Sequence, residues 1–232
     1  MKIALIGYGA MGALVARLAI AATDELGITV TSEHASLNAS QLAELLRGHD
    51  VAIDFSIASA VWRNVEACAL AAVPLVEGTT GWQKDEPDVR RSIAEYKGAL
   101  VYGANFSVGV NVFYRIVSEA SRLMAGLDQY QAFMEEEHHA RKRDAPSGTA
   151  LQLKKLVTEH LQSDIPIASV RAGYIPGTHS VGFDSEADQI RLTHTARSRE
   201  GFAAGALLAA PWILGRQGVY EFSDVIEQMI GK

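Results

Sequence analysis

Between Glu135 and Ala150 the sequence places two adjacent histidines, His138 and His139, three consecutive basic residues, Arg141, Lys142 and Arg143, and the turn Pro146-Ser147-Gly148-Thr149. Imidazoles exchange protons near neutral pH, and a lysine supplies a fixed positive charge that can also donate a proton. A proline, serine and glycine before an amphipathic run open a helix, so that its first N–H groups and the Thr149 hydroxyl face an incoming carboxylate or phosphate. Such a terminus contributes roughly 0.3 to 2 kcal/mol per charge. From His138 to Lys155 five fixed positive charges, Arg141, Lys142, Arg143, Lys154 and Lys155, stand against Asp144, a local balance of +4 in a chain of net charge -6. That pattern suits a small anionic substrate. The plain alternative is a solvated basic turn before an ordinary helix start. Zinc is not expected: neighbours on a strand point to opposite faces, no cysteine is near, and no H-E-x-x-H spacing is present.

A second group lies at the other end of the chain. Gly7-Tyr8-Gly9-Ala10-Met11-Gly12 follows a short apolar run and precedes an alanine- and leucine-rich stretch, Ala13 to Ala22. Strand, G-x-G-x-x-G, helix is the context of a dinucleotide-binding turn. The first glycine permits the turn, the second lets the backbone approach a pyrophosphate, and the third lets helix and strand pack closely. Ile28 to Thr31 supplies the next strand, and Glu33, 21 positions after Gly12, is placed either to bond the adenosine ribose or to sit in a solvated loop. No arginine follows until Arg47, so a 2′-phosphate pocket is not evident and the cofactor is NADH or NADPH.

These groups need elements to hold them. Helices at Ser36 to Arg47, Ala60 to Ala72 and Pro87 to Lys97 alternate with strands at Val51 to Phe55, Pro74 to Val76 and Ala99 to Tyr102. This α/β alternation predicts a doubly wound parallel sheet with its ligand beyond the carboxyl ends of the strands. Asp54-Phe55-Ser56, Gly78-Thr79-Thr80-Gly81 and Gly103-Ala104-Asn105-Phe106 fall at such ends and should line one cleft. After Asn111 the pattern changes. A helix at Val112 to Met124 and a strand at Tyr130 to Glu137 lead to the His138 segment. A helix at Thr149 to Leu161, strands at Val170 to Gly173, Thr178 to Phe183 and Gln189 to Thr195, and a helix at Gly201 to Leu214 follow; the consecutive strands suggest a second, smaller α+β domain with a mixed sheet, joined near Asn105 to Asn111.

Composition narrows the partners. A net charge of -6 argues against nucleic acid, because phosphate neutralisation needs a basic surface. One cysteine, Cys68, in an apolar run, cannot form an internal disulfide and reads as a buried thiol. No signal-peptide pattern and no apolar run of about 20 residues is present, so no membrane association and a cytoplasmic location are expected.

At Glu136-Glu137-His138-His139-Ala140-Arg141-Lys142-Arg143-Asp144-Ala145-Pro146-Ser147-Gly148-Thr149-Ala150 the sequence resembles the 4-hydroxy-tetrahydrodipicolinate reductase (dihydrodipicolinate reductase) family, whose signature reads E-x-H-H-x-x-K-x-D-x-P-S-G-T-A. Gly78 to Gly81, Asn105 to Asn111, Arg171 to His179 and Thr193 to Arg199 extend the resemblance over nearly the whole chain. It implies reduction of the ring by hydride transfer from NADH or NADPH followed by protonation, on the diaminopimelate route to lysine. His138 becomes the proton donor or acceptor and Lys142 a proton donor, while His139, Gly148 and Thr149 hold the carboxylates of a dicarboxylate substrate. Gly7, Tyr8, Gly9, Ala10, Met11, Gly12, Glu33, Gly78, Thr79, Thr80, Gly103, Ala104, Asn105 and Phe106 become cofactor contacts. It also implies a dinucleotide-binding domain of residues 1–104 and 208–232, a substrate and oligomerisation domain of residues 105–207, and a homotetramer. The chain departs from many members at Ala10-Met11-Gly12, where they carry Arg-Met-Gly. Another nicotinamide-dependent dehydrogenase of a small anion, or a non-catalytic NAD sensor, remains the alternative; a sensor has no need of His138 and Lys142 together.

Overall fold

The structure, a computed structural model, describes residues 1–230. In chain order its elements are β1 (Lys2–Ile6), α1 (Ala10–Ala21), β2 (Glu25–Val30), α2 (Ala39–Leu46), β3 (Val51–Asp54), α3 (Ala58–Ala71), β4 (Leu75–Glu77), α4 (Glu86–Glu95) and β5 (Ala99–Tyr102), followed by α5 (Val108–Met124), β6 (Gln131–His138), α6 (Gly148–Leu161), β7 (Ile167–Arg171), β8 (Thr178–Asp184) and β9 (Gln189–Thr195), and finally α7 (Glu200–Ile213), β10 (Gly218–Glu221) and α8 (Phe222–Ile230). The chain divides into two compact units, residues 1–108 with 200–232, and residues 109–199.

The first unit holds a six-stranded sheet in the order β10-β5-β4-β3-β1-β2, parallel throughout. Its middle strands are near-continuous apolar runs because both faces are covered: every residue of β3 and β4 is buried. The chain leaves β1 for β2 on one side and returns to β3 on the other, which puts the topological switch point, the usual ligand position in such sheets, between β1 and β3. Several boundaries differ from the sequence expectation. α1 begins at Ala10, inside the glycine motif, with Gly9 as its N-cap. α2 begins at Ala39, because Asn38 accepts from Gln41 N while the Gln41 side chain accepts from Asn38 N, a reciprocal cap that starts the helix there. β10 was not expected at all: four residues without a strong alternating pattern are held by pairing with β5, a long-range contact. α7 belongs wholly to this unit, so the chain re-enters it at Glu200, eight residues before the expected 208, and leaves it after Val108 rather than 104.

The second unit is a four-stranded mixed sheet in the order β7-β6-β8-β9, with β6 parallel to β7 and antiparallel to β8. Its core gathers Phe113 and Val117 of α5, Leu153 and Val157 of α6, and Met134, Val181 and Phe183 of the sheet. Along β6 the buried positions are Met134, Glu136 and His138, the period-2 set of one face. A carboxylate and an imidazole therefore occupy the face that a methionine begins.

Candidate active site

Register in the second sheet assembles the polar cluster. Glu136 pairs with Ser169 on one side and His179 on the other, and His138 pairs with Arg171. The fully buried Glu136 carboxylate accepts through Oε1 from Arg171 Nη2 at 2.6 Å, Ser169 Oγ at 2.8 Å and the Ser147 N–H at 3.1 Å. Its Oε2 stands 3.1 Å from His138 Nδ1 and 3.8 Å from His179 Nε2. The two imidazoles meet edge to face with centroids 5.0 Å apart, and Ser147 Oγ lies 3.1 Å from His179 Nε2.

Burial and hydrogen bonding set the charges here. Burial alone would raise the Glu136 carboxyl, but the donors from Ser147, Arg171 and Ser169 outweigh it and hold the group at about 2, fully ionised at neutral pH. Burial lowers His138, the Glu136 charge opposing and Lys142 and Arg171 reinforcing the shift. Burial, then the neighbouring His138, takes His179 down to about 4. The cluster is thus one anion, one fixed cation and two neutral imidazoles.

Around it stand the remaining expected residues. Lys142 Nζ is 2.9 Å from Asp144 Oδ1, which keeps Asp144 below its ordinary range. α6 starts at Gly148, one residue before the expected Thr149: Ser147 is the N-cap, its Oγ accepting from Ala150 N at 3.2 Å, which leaves the Gly148 and Thr149 N–H groups as the orphan donors of a helix start. Gly148 is exposed, and a Cβ added there would meet nothing within 4 Å. His139, just past β6, has a buried Nδ1 without a hydrogen-bond partner. The local charge is smaller than the sequence sum. Lys154 pairs with Asp164 at 2.6 Å and Lys155 with Glu159 at 3.8 Å, so with Lys142 beside Asp144 three of the five positive charges have acidic partners of their own.

The geometry also reopens the metal question. Glu136, His138 and His179 each offer one ligand atom, all within 4.8 Å of one another, a carboxylate and two imidazoles on adjacent strands. His139 is not part of this group; His179, distant in sequence, arrives through the β6–β8 register. Against a dication, the same carboxylate already carries the Arg171 guanidinium.

In the first unit the loops at the carboxyl edge come together. Gly7 has φ +86°, and a Cβ there would be 2.5 Å from the Phe55 carbonyl oxygen; one at Gly12 would be 2.1 Å from the Gly7 oxygen. A Cβ at Gly9 would meet nothing within 4 Å, and α1 has no side-chain cap. The open backbone and uncapped N–H groups are the features a pyrophosphate requires, so these residues fit a dinucleotide. Tyr8 is exposed, and Glu33 is exposed in a short turn just after β2, with its N–H bonded to Thr31 Oγ1. Ser56 N donates to Thr79 Oγ1 at 3.0 Å, and Gly103 N to the Glu77 oxygen at 3.3 Å, which ties the three loops to one another. Thr80 and Ala104 are exposed, whereas the Phe106 ring packs against Phe55 and Phe222 in the interior, so its side chain serves packing.

Sequence reasoning missed Glu136, Ser147, Arg171 and His179 as members of the cluster. Glu136 and His138, two apart on a strand, share a face, a signal that was available; Arg171 and His179 required the strand order.

Two family models cover the chain, "Dihydrodipicolinate reductase, N-terminus" over residues 1–106 and "Dihydrodipicolinate reductase, C-terminus" over residues 109–226. A 4-hydroxy-tetrahydrodipicolinate reductase of Christiangramia forsetii is 36% identical over 243 residues, covering 99% of both chains. One of Anaeromyxobacter dehalogenans is 37% identical over 236 residues, covering 92% of this chain and 83% of the relative. Among solved structures, a dipicolinate-bound dihydrodipicolinate reductase of Paenisporosarcina shares the fold with a TM-score of 0.81 at 20% identity, covering 97% and 99% of the two chains.

Proposed function

The chain belongs to the dihydrodipicolinate reductase family, and from that premise we propose that it reduces 4-hydroxy-tetrahydrodipicolinate to tetrahydrodipicolinate, in the diaminopimelate route to lysine, with NADH or NADPH as reductant. The observation that carries the reading is the meeting, within one unit, of a buried neutral imidazole, a lysine ammonium and an open helix start. His138, Lys142 and Gly148-Thr149 follow one another along the chain, as a small dicarboxylate that must be held and protonated requires.

The conversion takes up a hydride and a proton and releases water. A nicotinamide cofactor, when bound, supplies the hydride, and the first-unit residues with the features to hold it are Gly7, Gly9 and Gly12 with the loops at Gly78–Thr80 and Gly103–Asn105; Glu33 stands beyond β2 for the ribose. The N–H groups of Gly148 and Thr149 grip one substrate carboxylate, and His139, just past β6, makes a further polar contact with the substrate. Lys142 Nζ exchanges Asp144 for the substrate and delivers the proton. His138 takes up or releases a proton beside it. The enzyme works in the cytoplasm as a homotetramer.

A coupled assay fed by the product of the preceding synthase, run with NADH and NADPH in turn, tests the reading. Lys142→Ala should lose about 10²- to 10⁴-fold in kcat, the usual share of a general acid, while keeping cofactor affinity. Full activity in that variant removes the role assigned to Lys142.

A further inference from the structure

Glu136 Oε2 and His138 Nδ1 are both buried, both without a geometrically formed hydrogen bond, and 3.1 Å apart. We propose that Glu136 is a positioning residue that holds the proton of His138 on Nδ1, so that Nε2 is the nitrogen that exchanges protons with the substrate; the consequence for turnover rests on the role given to His138 above.

Three donors on one oxygen make this specific. Ser147 N, Ser169 Oγ and Arg171 Nη2 converge on Oε1, which prevents the carboxylate from rotating and leaves Oε2 to face the ring. An ionised oxygen 3.1 Å from a ring nitrogen requires a hydrogen there, because two lone pairs at that distance repel. His179 does not compete for Oε2. It is farther off, at 3.8 Å, and its Nε2 is engaged by Ser147 Oγ, which already accepts from Ala150 N and so has its hydrogen free to donate to the ring. On the other side of His138, a Cβ at Gly177 would lie 3.2 Å from Nε2, so a glycine with φ +146° keeps that nitrogen unobstructed. The same Ser147 that caps α6 donates its N–H to Glu136. One buried carboxylate therefore ties the helix start that grips the substrate to the imidazole that handles its proton.

Glu136→Gln reads this out directly. The three donors select the glutamine oxygen for the Oε1 position and turn its NH₂ toward His138, which then has to accept at Nδ1 and carry its proton on Nε2. In the ¹⁵N-histidine-labelled full chain at pH 7.5, long-range proton–nitrogen correlation should report the Nδ1–H tautomer of His138 in the wild type and Nε2–H in Glu136→Gln. Ser169→Ala, which removes one anchor and keeps the charge, should retain Nδ1–H. A fall of about 10- to 100-fold in kcat with substrate KM within about threefold should accompany the flip. An Nε2–H wild type, or a Glu136→Gln variant that still carries Nδ1–H, overturns the proposal, and the wild-type spectrum decides it even if the variant does not fold. Stoichiometric zinc uptake by the wild type that Glu136→Gln abolishes also overturns it, by giving the three atoms to a metal. A flip with unchanged kcat leaves the tautomer assignment standing and removes His138 from the catalytic reading instead.

Discussion

At the scale of single residues, the first unit hides a pair as unusual as the second unit's triad. Asp54 and Glu77 are both fully buried at the ends of β3 and β4. Asp54 accepts from Ser56 N at 2.7 Å, Asn64 Nδ2 at 2.7 Å and Thr79 Oγ1 at 3.4 Å, while Glu77 accepts from Thr79 N and shares a side-chain hydrogen bond with Asp54. Burial and the neighbouring Asp54 charge therefore push Glu77 well above its ordinary 4.5. A carboxyl raised in the folded state holds its proton more tightly there than in the unfolded chain. Its contribution to stability is complete below the unfolded pKa and is lost as pH rises through the folded one. Glu77→Gln, which cannot ionise, should flatten that part of the profile: denaturant melts of the variant should lose less stability between pH 5 and 8 than those of the wild type. A variant with the wild-type slope would mean that Glu77 does not titrate in this window.

At the scale of elements, small residues set how closely helices and loops approach. A Cβ at Gly205 in α7 would stand 1.7 Å from the Phe106 carbonyl oxygen and 3.2 Å from the Phe222 ring. In an isolated helix alanine would be better than glycine by about 1 kcal/mol. Here the obstruction is backbone, which cannot swing aside, so Gly205→Ala should destabilise by about 1 to 3 kcal/mol and lower the melting temperature by several degrees in calorimetry. The loop it displaces, 103–106, is one of the three proposed to carry the cofactor, so affinity for NADH or NADPH should fall as well. A gain in stability would show that α7 can move away from Phe106.

At the scale of the molecule, the chain builds two units with separate cores, one centred on the parallel sheet and one on β6, β8, α5 and α6. Local stability in such a chain follows whichever ligand binds each unit. Hydrogen exchange of the intact protein should therefore show protection of the β1–α1 turn and the 78–80 loop on adding NADPH, and of the α6 start and the 139–143 turn on adding pyridine-2,6-dicarboxylate. Protection of the α6 start by the nucleotide alone would contradict the division of labour proposed here.

The sequence alone determined the parts that depend on neighbours along the chain. The glycine turn, the helix start after Pro146-Ser147-Gly148, the run from His138 to Lys142 and the alternation of strand and helix are local patterns whose conformations follow from backbone freedom and period, and they were legible with boundaries off by a few residues. Tertiary structure decided which distant residues complete the chemistry. β6 lies between a parallel neighbour and an antiparallel one, and a strand's partners are set by packing of the whole sheet, so no local pattern announces that Arg171 and His179 will flank Glu136. Burial, too, is a property of the assembled fold: it makes His179 neutral, and the strand register sets one anchored anion, Glu136, at the centre of the site.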